Sequence, residues 1–255
     1  VPGEGIVDYK EVMNVFLEFI LDSGGSISLN NKVLGLNKSI LKTEKFEKEF
    51  DLIINCSGLF TDRIYKSLTN KISPIKIVPF RGEYKRILDS YSDIVNHLVY
   101  PVPNPRFPFL GVHFTRLIDE SREVGPNAVL ALKREGYNIG DISILDSLDT
   151  LTDKGFIKFL FKNFNFTLNE FMSSLSRESF VKKAKRLIPE LEDYMLAETG
   201  TAGVRAQAIS KEGELYMDFK IFKNENQIHL LNAPSPGATA SLSIAKHIIN
   251  EYIQN

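Results

Sequence analysis

With one cysteine, Cys56, in 255 residues, the chain cannot form an intramolecular disulfide. With no His/Cys cluster around it, the sequence also argues against a structural zinc site, so no metal is expected. A reducing, cytoplasmic compartment fits best, with peripheral contact at an inner membrane left open. Long apolar runs are also missing. The stretch Val12 to Leu21 is broken by Asn14 and Glu18, and no window approaches the roughly 20 apolar residues of a membrane span. There is no excess of charge of either sign. The 31 basic and 32 acidic residues leave a net charge of −1, which gives no global field to attract nucleic acid or an anionic membrane. The start Val1-Pro2-Gly3-Glu4-Gly5 has no basic signal-peptide region and reads as the middle of a longer protein.

What is present is enough for a large core: 43% hydrophobic and 25% charged residues suit one large domain or two smaller ones. Residues Val7 to Leu21 carry apolar side chains at helical spacing until Gly24-Gly25 stops the pattern. Short β-like runs follow at 26–29, 32–36 and 40–43. A stronger strand spans Phe50 to Asn55, and a helix covers about Thr61 to Leu68. From Pro74 the texture changes to proline-punctuated strands at 75–87, 98–102, 109–115 and 128–133, with helices at 155–164, 168–175 and 178–188. The tail adds strands at 203–209, 215–222 and 227–231 and a helix over about 238–252. This order predicts an α/β layer over residues 1–73, a separate α+β layer over 74–200, and a return to the first layer over 201–255.

Several segments carry chemistry. The strand Asp51-Leu-Ile-Ile-Asn55 empties into Cys56-Ser57-Gly58-Leu59, and open α/β sheets bind ligands at such carboxyl ends. A turn that needs glycine for geometry alone explains Ser57 and Gly58 equally well. The tail Asn232-Ala-Pro-Ser-Pro-Gly-Ala-Thr-Ala-Ser241 opens a helix whose first amides lack internal partners. It suits an anion or an electron-rich ring, and the plainer reading leaves Thr239 and Ser241 facing solvent. Arg205 is a cation in a small-residue, apolar strand and calls for an anion, either a structural carboxylate or a substrate's. His113 alternates onto one face with Gly111 and Thr115, where its near-neutral pKa suits a general base as well as a core histidine. His97, His229 and His247 read as surface or packing residues. Lys133, Arg134 and Tyr137, at the end of an apolar strand, could hold an anion or be solvated charge, and Arg81 is a comparable case.

Together these segments resemble the L-2-hydroxyglutarate oxidase/dehydrogenase family, within the wider D-amino acid oxidase-like group of FAD enzymes. The matching words are GIVDYK from Gly5, INCSGLFTDRI from Ile54, IVPFRGEY from Ile77 and YPVPNPRFPFLGVHFTR from Tyr100. GPNAVLALKREGY from Gly125, GVRAQA from Gly203 and NAPSPGATASLSI from Asn232 complete them. The resemblance implies an α/β (α+β overall) flavoprotein: an incomplete Rossmann-like FAD-binding domain and an antiparallel-sheet substrate domain. It further implies oxidation of L-2-hydroxyglutarate to 2-oxoglutarate by hydride transfer to flavin N5, with a quinone or oxygen as the final acceptor. Ser57 and Gly58 would lie near FAD. The run Ser235, Pro236, Gly237, Ala238, Thr239 and Ser241 would meet the isoalloxazine, and His113 and Arg205 would face substrate.

One departure stands out. Such enzymes begin with a Gly-x-Gly-x-x-Gly turn and a downstream acid, and this chain has neither, since Gly3-Glu-Gly5 follows no strand and Asp8 stands where the third glycine belongs. A mononucleotide-binding half is therefore expected to precede Val1. Two other readings are an FAD-dependent amine or amino acid oxidase of the same group, and an inactive remnant serving as a binding module.

Overall fold

The structure is a computed structural model that describes residues 5–102, 111–163, 176–198 and 200–254. The expected helix at 168–175 and the start of the expected strand at 109–115 lie outside them. Helix α1 (Tyr9–Asp22) starts where Asp8 accepts the Lys10 amide, a capping bond that replaces a missing intrahelical one. Strands β1 (Val33–Asn37), β2 (Ile40–Thr43) and β3 (Glu47–Glu49) form a small antiparallel sheet. Strand β4 (Ile53–Asn55) is shorter than expected and leads through Gly58, at φ +51°, into helix α2 (Thr61–Thr69). Asn70, left-handed at φ 54°, closes α2.

The long strand β5 (Ile75–Ile87) organises the centre. Strands β6 (His113–Arg116) and β7 (Arg122–Leu130) and the later β8 (Ala202–Ser210) join it in one antiparallel sheet, ordered β6-β7-β5-β8. Alternation alone places the β7 segment at 128–133, but cross-strand pairing decides its limits. Ile87 pairs with Arg122 and Phe80 with Leu130, so the charged Arg122-Glu123 end lies inside the sheet. The run at 98–102 forms only an isolated bridge, Val99 to Phe114. Gly82 has a steric reason: a Cβ there would meet the Pro126 ring at 2.7 Å.

Helices α3 (Ile144–Leu151), α4 (Lys154–Lys162) and α5 (Arg177–Ala184) start on Ser143, Asp153 and Ser176, each of which accepts a first-turn amide. Phe156 and Phe159 of α4 pack on Val78 and Ile209. Phe180, Val181 and Ala184 of α5 close a second core over Ile87, Phe114 and Val124.

Strand β8 was expected to return to the first layer after residue 201. Instead it pairs along its whole length with β5, from Ile75↔Ser210 to Glu83↔Ala202. The return comes with β9 (Lys220–Lys223) and β10 (Gln227–Asn232). Strand β10 runs parallel to β4 (Ile53↔Gln227, Asn55↔His229) and antiparallel to β9. Helix α6 (Ser241–Ile248) follows and ends in a π-helical turn over Ile249–Ile253. A third core joins the layers, with Tyr65 of α2 and Leu231 of β10 packed on Ile75, Ile77 and Ala208.

Candidate functional site

Because β4 and β10 are parallel, Cys56–Gly58 and Ala233–Gly237 leave the same end of one sheet. At the first exit, Asn55 Oδ1 accepts the Ser57 amide at 3.2 Å and the Ser57 hydroxyl at 2.5 Å. Its Nδ2 donates to the Thr61 carbonyl and to His229 Nδ1, both at 3.2 Å. His229 Nε2 then donates to Gln227 Oε1 at 2.9 Å. The amide donor fixes the tautomer, and burial pushes the His229 pKa down to about 4. His229 is a packing residue, as its surroundings suggest, and also the middle of a buried hydrogen-bonded chain that shapes the turn at Ser57.

The second exit borders a cavity of about 400 Å³ between the central sheet and the loop after β10. Arg81, His113, Arg205, Gln207, Ser235 and Gly237 are among its walls. His113 is buried, stacks on Tyr100 with centroids 4.6 Å apart and meets the edge of Tyr84 at 5.8 Å. Its Nδ1 lies 3.0 Å from the Gly111 carbonyl oxygen, which can only accept. The proton therefore sits on Nδ1, and Nε2 carries the basic lone pair. Desolvation lowers the His113 pKa against a smaller rise from the Gly111 bond, which keeps the ring neutral and able to take a proton.

The two candidate arginines differ. Arg81 is buried; its Nη1 donates to Asn138 O at 2.7 Å, its Nη2 pairs with Glu83 at 2.9 Å, and its Nε has no partner. Arg205, opposite Phe80 in the sheet, is half-buried, and desolvation lowers its pKa. Guanidinium remains charged in neutral solution even so.

Other candidates fall elsewhere. Lys133 is exposed and is absent from the walls of the 400 Å³ cavity. Tyr137 lines a neighbouring cavity of about 470 Å³ with Arg177 and Glu198. Between them, Arg134 is 1% exposed and forks onto Asp62 at 2.6 and 2.9 Å, so the expected cation cluster is divided between surface and core. Pro236, Ala238, Thr239 and Ser241 continue from the cavity wall into α6, with Thr239 Oγ1 donating to Pro236 O at 3.1 Å. Gln207 was not singled out from the sequence; the available signal was an amide set between alanines in GVRAQA. Among the described residues, no cluster of His, Cys, Asp and Glu could hold a metal ion, and no helix is long and apolar enough to cross a membrane.

The chain is similar to known proteins in sequence and in fold. The L-2-hydroxyglutarate dehydrogenase of Indibacter alkaliphilus is 44% identical over 248 residues, covering 96% of this chain and 62% of that protein. The Escherichia coli protein of the same name is 42% identical over 256 residues, covering 98% and 60%. The human mitochondrial one is 37% identical over 274 residues, covering 99% and 59%. The chain thus spans about three fifths of the length of these curated relatives. Among solved structures, FAD-bound L-alpha-glycerophosphate oxidase from Mycoplasma pneumoniae shares the fold. Its TM-score is 0.60 at 18% identity, over 90% of this chain and 52% of that one. Residues 1–251 match the family described as FAD dependent oxidoreductase (DAO), and the chain belongs to that family.

Proposed function

We propose that this protein oxidises L-2-hydroxyglutarate, or a similar L-2-hydroxy acid, to the 2-oxo acid with FAD as cofactor, and passes the electrons to a quinone or to oxygen. One observation carries the reading: a neutral, tautomer-fixed His113 shares one cavity with Arg81 and Arg205. An α-hydroxy dicarboxylate needs one base and fixed cations, and this cavity offers both.

The residues present fit a flavin. Ser57 and Gly58 leave the sheet beside the Ser235–Gly237 loop, and an added Cβ would meet nothing within 4 Å at Gly58 or Gly203. The buried Gln207 Oε1 has no protein partner. We assign the cofactor layer to residues 1–73 and to the chain from Lys220 on, with the substrate layer between them. Ser57 and Gly58 would approach the cofactor from one strand end, and Ser235, Pro236, Gly237, Ala238, Thr239 and Ser241 from the other. Bound FAD supplies a two-electron acceptor.

In this reading Arg205 grips one substrate carboxylate through its planar fork, and Arg81 lends positive potential from behind its Glu83 bond. His113 Nε2 receives the hydroxyl proton. The electrons of that O–H bond become the second C–O bond of the 2-oxo acid, while the α-C–H bond gives up its pair to the acceptor. Stacked Tyr100 and edge-on Tyr84 hold the imidazole in place and keep water off it. The test is an anaerobic titration of the FAD-loaded protein with L-2-hydroxyglutarate, its D-enantiomer and L-glutamate. The oxidised flavin band should bleach with the first alone. Bleaching by the amino acid instead would move the protein to the amino acid oxidases.

A further inference from the structure

We propose that Gln207 Oε1 is the hydrogen-bond acceptor for the imide N–H of the flavin ring, a role that rests on the FAD reading above. Gln207 is 2% exposed and lines the cavity, yet its Oε1 is buried without a partner. The orientation of its amide is set by its neighbours. Nε2 donates to the carbonyl oxygens of Ala208 at 3.1 Å and Tyr216 at 3.2 Å, and a flipped amide would turn oxygen against two acceptors. A buried acceptor held in this way is a standing cost that a ligand donor removes.

The donor can be identified by elimination. A hydroxy dicarboxylate has one donor at neutral pH, its α-hydroxyl, and that proton goes to His113. His113 and Gln207 stand on β6 and β8, the two edges of the sheet ordered β6-β7-β5-β8. Gln207 pairs with Val78, whereas the His113 ring meets Tyr84. Strand spacing and rise therefore separate their backbones by roughly 14 Å across the sheet and about 20 Å along it. One hydroxyl cannot serve both.

Gln207 is instead tied to the loop side of the cavity. The Tyr216 carbonyl that anchors it also accepts from Asn232 Nδ2 at 3.4 Å, and Asn232 is the last residue of β10 before the Ala233–Ser235 wall. A flavin against that wall brings an imide N–H flanked by two carbonyls. The bare Oε1 suits the N–H, and the start of α6 suits the adjoining carbonyl. The ribityl hydroxyls are the other flavin donors, and the experiment separates them.

The intact protein is titrated with FAD and with N3-methyl-FAD, following flavin absorbance and fluorescence on binding, in the natural sequence and in Gln207→Leu. The natural protein should bind the methylated cofactor more weakly by roughly ten- to a hundredfold, and Gln207→Leu should bind the two alike. Equal binding by the natural protein overturns the proposal. So does undiminished discrimination in Gln207→Leu, which would place the imide elsewhere and leave a ribityl hydroxyl as the donor. If Gln207→Leu does not fold, Gln207→Met removes the acceptor oxygen with an unbranched side chain of similar length and should likewise bind the two flavins alike, and undiminished discrimination there overturns the proposal. A natural protein that binds neither flavin overturns the cofactor reading and this one with it, whereas binding without discrimination removes only this one.

Discussion

At the scale of single residues, the chemistry depends on which nitrogen of His113 holds the proton. The Gly111 carbonyl answers this, because it demands an N–H at Nδ1 and so leaves Nε2 basic. Replacing His113 by Asn should slow flavin reduction by about 10²- to 10⁴-fold, with substrate saturation little changed, in stopped-flow absorbance. Arg205→Lys keeps the charge but loses the fork, so it should raise the substrate concentration needed for half-saturation more than it lowers the limiting rate. Because burial depresses the His113 pKa, the acid limb of the rate profile should fall below the ordinary histidine value of about 6.5. A limb at or above that value would point to another base. Sequence alternation placed His113 in a strand, but not the Gly111 bond or the Tyr100 stack, which depend on chain turns that no spacing encodes. Lys133 and Arg134 are neighbours of the same charge, and only the fold sends one to water and the other to Asp62.

At the scale of elements, a shared sheet for β4 and β10 is legible in the small residues into which both strands empty, a local signal, whereas their parallel sense is not. The limits of β7 and the membership of β8 are not legible either, since both follow from partners far along the chain. The buried chain Gln227–His229–Asn55–Ser57 joins these two strands where the candidate cofactor turn begins. It also gives the fold a pH dependence. The unfolded His229 takes up a proton near pH 6.5, whereas the folded one resists until about 4. Its contribution is therefore fully present above about pH 6.5 and is lost as pH falls towards 4, by up to about 3 kcal/mol. Urea unfolding at a series of pH values should show this slope, and His229→Asn should flatten it. An equal slope in the variant would assign the acid lability to other groups.

At the scale of the whole molecule, two layers must be held in register around the cavity, and the Asp62–Arg134 pair helps to do it. Asp62 on α2 accepts the Ile77 amide of β5 at 3.0 Å and both Arg134 nitrogens, while Arg134 also donates to the Leu59 carbonyl and reaches Asp149 at 3.4 Å. Burial opposes ionisation of Asp149, but bonds from Arg63 and Lys76 outweigh it and hold its pKa at about 2. Arg134→Leu strands a buried carboxylate and should cost about 3–5 kcal/mol in denaturant unfolding, only part of it regained when Asp62→Leu is added, because the buried Ile77 amide then loses its acceptor. This bond is not legible in the sequence, because its partners lie 72 positions apart. The outer surface carries the last expectation. Strand β4 is the edge of its sheet, Ile54 on it is 43% exposed, and α1 buries none of its residues, leaving Met13 61% and Phe19 64% exposed. A strand edge with no sheet partner among the described residues, and exposed large apolar side chains, each recruit other surfaces. The 255-residue chain expressed by itself should therefore self-associate in sedimentation velocity and bind a hydrophobic dye. Phe19→Lys with Ile54→Lys should shift it to monomer without loss of helical signal, because neither side chain is a core contact. A dye-silent monomer of the unaltered chain would mean that these exposed groups do not drive association.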